Sequence, residues 1–344
     1  MKRNGIALAL LLCLLLTACG GEEDSRGQTS FLGQAAEMEE TAGLLTVDGR
    51  EVPAWRYLYW LADTCDQICE RYETAGVPLE WDMPMNGGTL VDYAREQALA
   101  DTVLYATVEN WAERYGCGLV DEDLAELDRI WAEQTASQGG EEVWLEELAD
   151  LGLDRVRAEE LAGVGMMYGK LCALALEEDG VLSAEPEKLA VFAQEQGYLT
   201  VEQILFPAGA DKEAARAQAE EAFAKLNGAE NQSAAFQALT EVAGEKRGPY
   251  TFLPGEDFLE ASLEKAAAAL EPGQCSGILE CGDGFAILRR LPVDGAFLAA
   301  EYFDCRLQHS AEEAEITTAS LYEKLNVKAF YQALLDIRND EKEK

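Results

Sequence analysis

The sequence predicts an α+β protein: a mostly helical N-terminal domain, a compact β-α-α-α-β-β domain, and a C-terminal helix. Three observations predict it. From Pro53 to about residue 196, apolar residues recur at three- and four-residue steps, the period of amphipathic helices. From Leu199 onward, short runs rich in Val, Ile and Phe alternate with Ala- and Glu-rich helical stretches. Near the end of that region, Gly282-Asp283-Gly284 joins two apolar runs as a tight hairpin turn. Helices gathered in one part and strands in another give an α+β arrangement rather than a continuous βαβ alternation.

The elements follow in order. Lys2 and Arg3 precede an apolar stretch, 6–16, that is short for a membrane span and suits a secretory signal. Leu16-Thr17-Ala18-Cys19 resembles the bacterial lipobox, in which two small residues precede the cysteine that receives the lipid. That resemblance makes 1–19 a lipoprotein signal and Cys19 the lipidation site. More than one acyl chain is needed for firm anchoring. Residues 20–43, rich in Gly, Glu, Ser, Gln and Thr, read as a flexible tether.

The helical domain spans 44–196. It opens with two extended runs around Asp48-Gly49, a hairpin signal. Pro53 then suits the start of a long helix carrying Trp55, Leu58, Ala62, Cys65, Cys69 and Tyr72 on one face. Further helices are expected at about 89–115, 121–138, 141–150, 154–177 and 183–196, punctuated by glycines. The second domain spans 198–292. It has a strand at 199–206, helices at 211–226, 233–239 and 256–270, an extended run at 248–254, and strands at 276–280 and 285–291. One amphipathic helix, 310–337, is expected within a C-terminal segment, 297–344, that packs back on the helical domain.

The formal net charge of −38 disfavours nucleic acid and anionic membrane surfaces as partners. A hydrophobic content of 48% supports a packed core rather than disorder. Of nine cysteines, seven remain after Cys13 and Cys19, an odd number that makes no closed disulfide framework. Cys65 and Cys69 share a helix face but lack a second ligand pair, so they read as small buried side chains, with no metal site. His309, the one histidine, reads as neither ligand nor base. Trp55, Tyr57, Tyr59 and Trp60 suit either a client groove or the core, and core is the reading favoured.

Three segments of the second domain resemble the parvulin-type peptidyl-prolyl isomerases. Glu202-Gln203-Ile204-Leu205-Phe206 resembles the family's first strand, and Tyr250-Thr251-Phe252-Leu253-Pro254-Gly255-Glu256 the loop before its last helix. Ala268 to Gly277, with Pro272-Gly273 and Ser276, followed by Gly284-Phe285-Ala286-Ile287-Leu288, resembles its closing run. The wider layout resembles extracytoplasmic foldases of the PrsA and SurA kind, in which a chaperone-like helical part accompanies the parvulin part. The resemblance implies a membrane-anchored foldase on the extracytoplasmic face. Its partners are unfolded or Pro-containing exported polypeptides, and it needs no cofactor.

X–Pro isomerisation crosses a barrier of about 18–20 kcal/mol without breaking a bond. A catalyst holds the proline ring in an apolar pocket and binds the twisted amide better than the planar one. The family places two histidines and an acidic or thiol residue on the site's floor. Here Gln203 stands at the first histidine position, Ala286 at the second, and Glu241 at the acidic or thiol position, with Glu245 a poorer candidate. Phe252, Leu259 and Leu263 take the apolar pocket positions, with Ala286 beside them. Gln203 donates a hydrogen bond but does not titrate. Two readings therefore stand side by side: an isomerase, and a catalytically degenerate parvulin fold serving as a holdase or peptide-binding module. A solute-binding lipoprotein is disfavoured, because two alternating βαβ lobes are absent.

Overall fold

The structure, a computed structural model, describes residues 31–342. The signal segment, Cys19 and the first part of the tether lie outside these residues. The chain divides into two compact units, one from the residues up to Leu182 together with those from Phe303, the other from Ser183–Tyr302.

In the first unit, β1 (Gly43–Val47) and β2 (Arg50–Pro53) form the expected hairpin. Asp48 and Gly49 both take positive φ, +50° and +84°, which suits a two-residue turn between right-twisted strands. Pro53 caps the long helix α2, and the unit also holds α1, which precedes the hairpin. These helices are α1 (Phe31–Ala36), α2 (Ala54–Thr74), α3 (Leu90–Tyr115), α4 (Asp121–Ser137), α5 (Glu141–Asp150) and α6 (Arg155–Leu176). A two-residue hairpin, β3 (Pro84–Met85) and β4 (Gly88–Thr89), leads into α3. There Thr89 and Asp92 form a reciprocal capping box, and Gly116 ends the helix with φ +70°. The fully buried side chains of Tyr57, Leu58, Leu61, Leu90 and Leu171 anchor this core. Trp55, Tyr59 and Trp60 are buried beside them, as the core reading expects. Cys65 is buried and Cys69 half-buried in the same helix.

Two expectations are corrected. Residues 31–42, read as part of the flexible tether, are packed. Leu32 is fully buried, and the Glu40 carboxylate accepts from the Gly33 amide at 2.8 Å and from Arg157 at 2.6 Å. Low-complexity polar composition hid the two apolar anchors, Phe31 and Leu32. The single helix expected over 310–337 is instead four elements: α11 (Ala299–Glu312), β9 (Ile316–Thr318), α12 (Ser320–Lys324) and α13 (Val327–Lys342). Ile316, Thr317 and Thr318 are β-branched and pair antiparallel with Val47, Thr46 and Leu45, completing a sheet of order β2-β1-β9. Asn326 then starts α13, accepting from the Ala329 amide at 3.1 Å.

The second unit holds α7 (Pro186–Glu195), β5 (Leu199–Pro207), α8 (Lys212–Asn227), α9 (Gln232–Val242), β6 (Glu245–Phe252), α10 (Ala261–Ala268), β7 (Leu279–Cys281) and β8 (Gly284–Leu291). Its antiparallel sheet has the order β6-β5-β8-β7. The extended run expected at 248–254 is thus a fourth strand, starting earlier, so the order is β-α-α-β-α-β-β. Side chains alternate across the sheet. Ile204, Phe206, Phe285 and Ile287 face α8 and α9, packing on Ala219, Ala222, Phe236 and Leu239. Val201, Leu205, Ala286 and Leu288 point the other way, onto Phe252 and onto Leu263 and Ala267 of α10. This second face carries the candidate site.

Candidate functional site

Gln203 lies in the middle of β5, opposite Leu288 of β8. Residues directly opposed on paired strands share a face, so Gln203 belongs to the face that carries Leu288 and Ala286. It is 5% exposed, and its Oε1 has no hydrogen-bond partner among the described residues. An amide oxygen buried without a partner costs free energy, so this atom is a strong acceptor with nothing to accept. Ala286 is fully buried two pairs along, opposite Leu205. Phe252, Leu263 and the half-buried Leu259 complete the same apolar cluster. Five of the six candidate side chains therefore come together on one sheet face.

Glu241 does not join them. It is exposed near the end of α9, a helix that covers the opposite face, and Glu245 is exposed at the start of β6.

The rim of the site holds residues that motif spacing did not single out. Phe258 is 54% exposed and stacks on Phe252 with ring centroids 5.7 Å apart and planes 14° from parallel. Tyr250 meets Phe258 edge-on at 5.8 Å. The three rings form an aromatic corner with one open side, the kind of surface on which a proline ring packs. The order Tyr-x-Phe followed by Phe six residues later is the only sequence trace of it. Cys281 packs against the same cluster, and burial pushes its thiol up, which keeps it protonated at neutral pH.

Glu264 sets the shape of the loop between β6 and α10. Its buried carboxylate accepts from the Gly255 amide at 2.8 Å and the Leu259 amide at 3.1 Å. These bonds hold residues 255–260 as a loop, so α10 starts at Ala261 rather than at residue 256 as expected. The Gly255 amide first, then that of Leu259, holds the Glu264 carboxyl below the usual carboxylate range. A depressed folded pKa contributes stability above the unfolded pKa, and this is lost as pH falls through the folded pKa. Glu264→Gln is therefore expected to lower the midpoint of thermal unfolding at neutral pH, with the difference shrinking as the pH drops below the normal glutamate range. A difference independent of pH would show that the carboxylate charge does not hold the loop.

Ser276 fastens the other side. Its Oγ accepts from the Leu288 amide at 2.9 Å and donates to the Gly277 carbonyl at 2.7 Å, pinning the turn before β7 to the strand that carries Ala286.

The floor of this site therefore offers an apolar surface, one amide and a protonated thiol. It has no imidazole, because the single histidine lies in the other unit, at His309. The arrangement can grip an apolar ring and accept or donate one amide hydrogen bond. It cannot relay a proton between two histidines. Among the described residues, no group of three or more His, Cys, Asp or Glu is placed to hold a metal ion.

Residues 187–291 match the family model of the PPIC-type PPIASE domain. No curated protein sequence matches the chain. Among solved structures, PrsA from Bacillus subtilis is 16% identical, with 88% of this chain and 93% of that chain covered and a TM-score of 0.23. The foldase protein PrsA from Streptococcus pneumoniae is 17% identical, covering 75% and 93%, with a TM-score of 0.20. A structure from work on PEB4 and Cj1289, two SurA-like chaperones of Campylobacter jejuni, is 10% identical, covering 81% and 99%, with a TM-score of 0.23.

Proposed function

We propose, from the premise that residues 187–291 carry a PPIC-type peptidyl-prolyl isomerase domain, that the chain is a foldase-type chaperone gripping unfolded, proline-containing exported polypeptides. The observation that carries this reading is the buried, unpartnered amide oxygen of Gln203 on the same sheet face as the open Tyr250–Phe252–Phe258 corner. A proline ring stacked on Phe258 adds a partner to an aromatic side chain that the fold leaves half in water. A client backbone N–H next to the X–Pro bond donates to the orphan Oε1 of Gln203. The helical part of the first unit, 44–182, serves as the chaperone-like partner of this grip.

A second reading, binding without turnover, is favoured by one specific feature. Both strand positions where the family carries histidine hold side chains that do not titrate, Gln203 and Ala286. Isomerisation requires tighter binding of the twisted amide than of the planar one. One glutamine supplies less of that difference than a histidine pair with an acidic or thiol neighbour.

The location is part of the same proposal. A lipid on Cys19 holds the protein to the extracytoplasmic face of a membrane. The lipobox-like Leu16-Thr17-Ala18-Cys19 supports this, and none of the described helices is long and apolar enough to cross a membrane. The net charge of −38 sets the protein against nucleic acid as a partner.

The test uses the chain from Gly20 onward, which keeps both units. Phe258→Ala is expected to weaken binding of a peptide with one X–Pro bond by about tenfold, the loss of one aromatic contact of about 1.4 kcal/mol. The unfolding midpoint should move little, because Phe258 is already 54% exposed. Unchanged peptide affinity in the variant would remove the aromatic corner from the site.

A further inference from the structure

Gln203 Oε1 is closed off from water as well as unpartnered, so a client N–H reaches it only if a neighbour moves. Two residues flank Gln203 in the sheet: Leu288 on β8 and Arg247 on β6. Leu288 is fully buried in the apolar cluster and has nowhere to go. Arg247 is different, with a side chain 36% exposed. Directly opposed residues share a sheet face, which puts Arg247 on the site face. The rest of β6 agrees. Tyr250 lies opposite Val201 and Phe252 opposite Leu199, and all four pack in the site's cluster. Lys246 lies opposite Ile204 on the other face and meets Glu202 there.

The far end of the Arg247 side chain is tied down. Its Nη1 donates to Asp283 Oδ2 at 2.8 Å, and Glu245, opposite Leu205, lies 3.5 Å from its Nη2. β6 is one edge of the sheet, and Asp283 sits in the turn between β8 and β7, the other edge. The ion pair therefore links the two edges on the face that carries Gln203, Leu205 and Ala286. Its anchor is firm: the Asp283 carbonyl accepts from the Ala208 amide at 3.0 Å, and Glu260 accepts from the Gly282 amide at 2.7 Å. The bond itself is weak. Asp283 is 63% exposed, and an exposed ion pair shifts an equilibrium by at most about fivefold. Sealing an unpaired acceptor costs free energy and works against it.

We propose that Arg247 is a strap across the grip, latched on Asp283. Closed, its stem covers Gln203 and keeps clients from the amide oxygen. Open, it admits the client N–H to that oxygen while the aromatic corner takes the proline ring. The inference rests on the reading of this face as the client grip, and it adds the regulation of that grip. Only the open fraction of molecules binds, so the latch lowers the apparent affinity for clients. Breaking the latch therefore strengthens binding, the opposite of what the loss of a contact residue does.

The test uses the chain from Gly20 onward, unmutated and as Asp283→Asn and Arg247→Met. Asparagine suits the same turn, and methionine keeps an apolar stem without the charge. The probe is an uncharged peptide with blocked ends and one X–Pro bond. Both variants are expected to bind it about two- to fivefold more tightly than the unmutated chain. The advantage should shrink as salt is raised, because salt loosens the latch of the unmutated chain. In the free proteins, the Gln203 side-chain amide, identified by its loss in Gln203→Met, should exchange protons with water faster in both variants. Equal or weaker binding by either variant would overturn the strap, as would an unchanged Gln203 exchange rate. If no protein binds the peptide while Gln203 exchange still quickens, the strap stands and the reading of the face as a grip falls.

Discussion

Glu202→Leu is expected to destabilise the PPIC-type domain by about 3–5 kcal/mol, because it leaves a buried guanidinium without its carboxylate. Glu202 and Arg289 sit on neighbouring strands, directly opposed in the β5–β8 register and ion-paired, with side chains only 4% and 9% exposed. Arg289 also donates to the Ser233 carbonyl at 2.9 Å and lies 5.0 Å above the Phe236 ring, so the pair ties two central strands to α9. Lys246, 3.5 Å from the second Glu202 oxygen, reaches the pair from β6. Arg289→Met should cost less than Glu202→Leu, because Lys246 still offers Glu202 a cation. The double variant, Glu202→Leu with Arg289→Met, should regain most of the loss, since apolar groups of similar volume replace a desolvated pair at little net cost. Chemical denaturation of the four proteins gives the cycle directly. A double variant that loses the sum of the two single losses would mean that the pair is not energetically coupled.

Gly284→Ala is expected to cost about 3 kcal/mol or more. Gly284 opens β8 with φ +145°, a conformation that side chains other than glycine's rarely adopt. A Cβ there would overlap the Phe206 carbonyl oxygen and come within 2.6 Å of the Ala208 nitrogen. Both are backbone atoms at the end of β5 and cannot swing aside. The strain falls on the Pro207–Gly284 pairing that sets the register of β8, and β8 carries Ala286 and Leu288. The substitution should therefore lower stability and peptide affinity together. By contrast, Gly273 has φ +90°, but a Cβ there would meet nothing within 4 Å, so alanine faces only the backbone preference. Equal losses at the two sites would show that the close approach at Gly284 contributes nothing.

Local signals carried much of this architecture. Asp48-Gly49 placed the first hairpin, and the bounds expected for α5, 141–150, match those observed. Elements that depend on a distant partner were not legible. β9 exists because Ile316–Thr318 meets β1 some 270 residues away in sequence, a span of which the local pattern holds no record. The first half of β6, Glu245-Lys246-Arg247, is polar on both faces and extends only because β5 offers its edge. α10 starts late because Glu264 reaches back to the loop, an interaction between side chain and backbone that periodicity does not encode.

The site divides along the same line. Gln203, Phe252, Leu259, Leu263 and Ala286 were found by motif order, and strand alternation then puts them on one face. Glu241 was placed by spacing alone, and a helix facing the wrong side of the sheet carries it out into solvent. Phe258 and Tyr250 needed the loop's three-dimensional path, and Cys281 needed the pairing of β7 with β8. The charged pair Glu202–Arg289 was invisible because charges in a sequence ordinarily read as solvated, and only the strand register shows that these two bury each other.

The most direct measurement is exchange NMR on a peptide with one X–Pro bond and no Lys or Arg, added to the isotope-labelled chain from Gly20 onward. If the sheet face of the PPIC-type domain is the client grip, the signals of Phe252, Phe258, Leu259 and the Gln203 side-chain amide shift together on titration. On the reading of binding without turnover, cis–trans exchange of the bound peptide stays near its unaided timescale of roughly tens of seconds, and faster exchange would assign turnover to the same face. A peptide that binds while those four signals stay still, or that does not bind at all, would contradict the account.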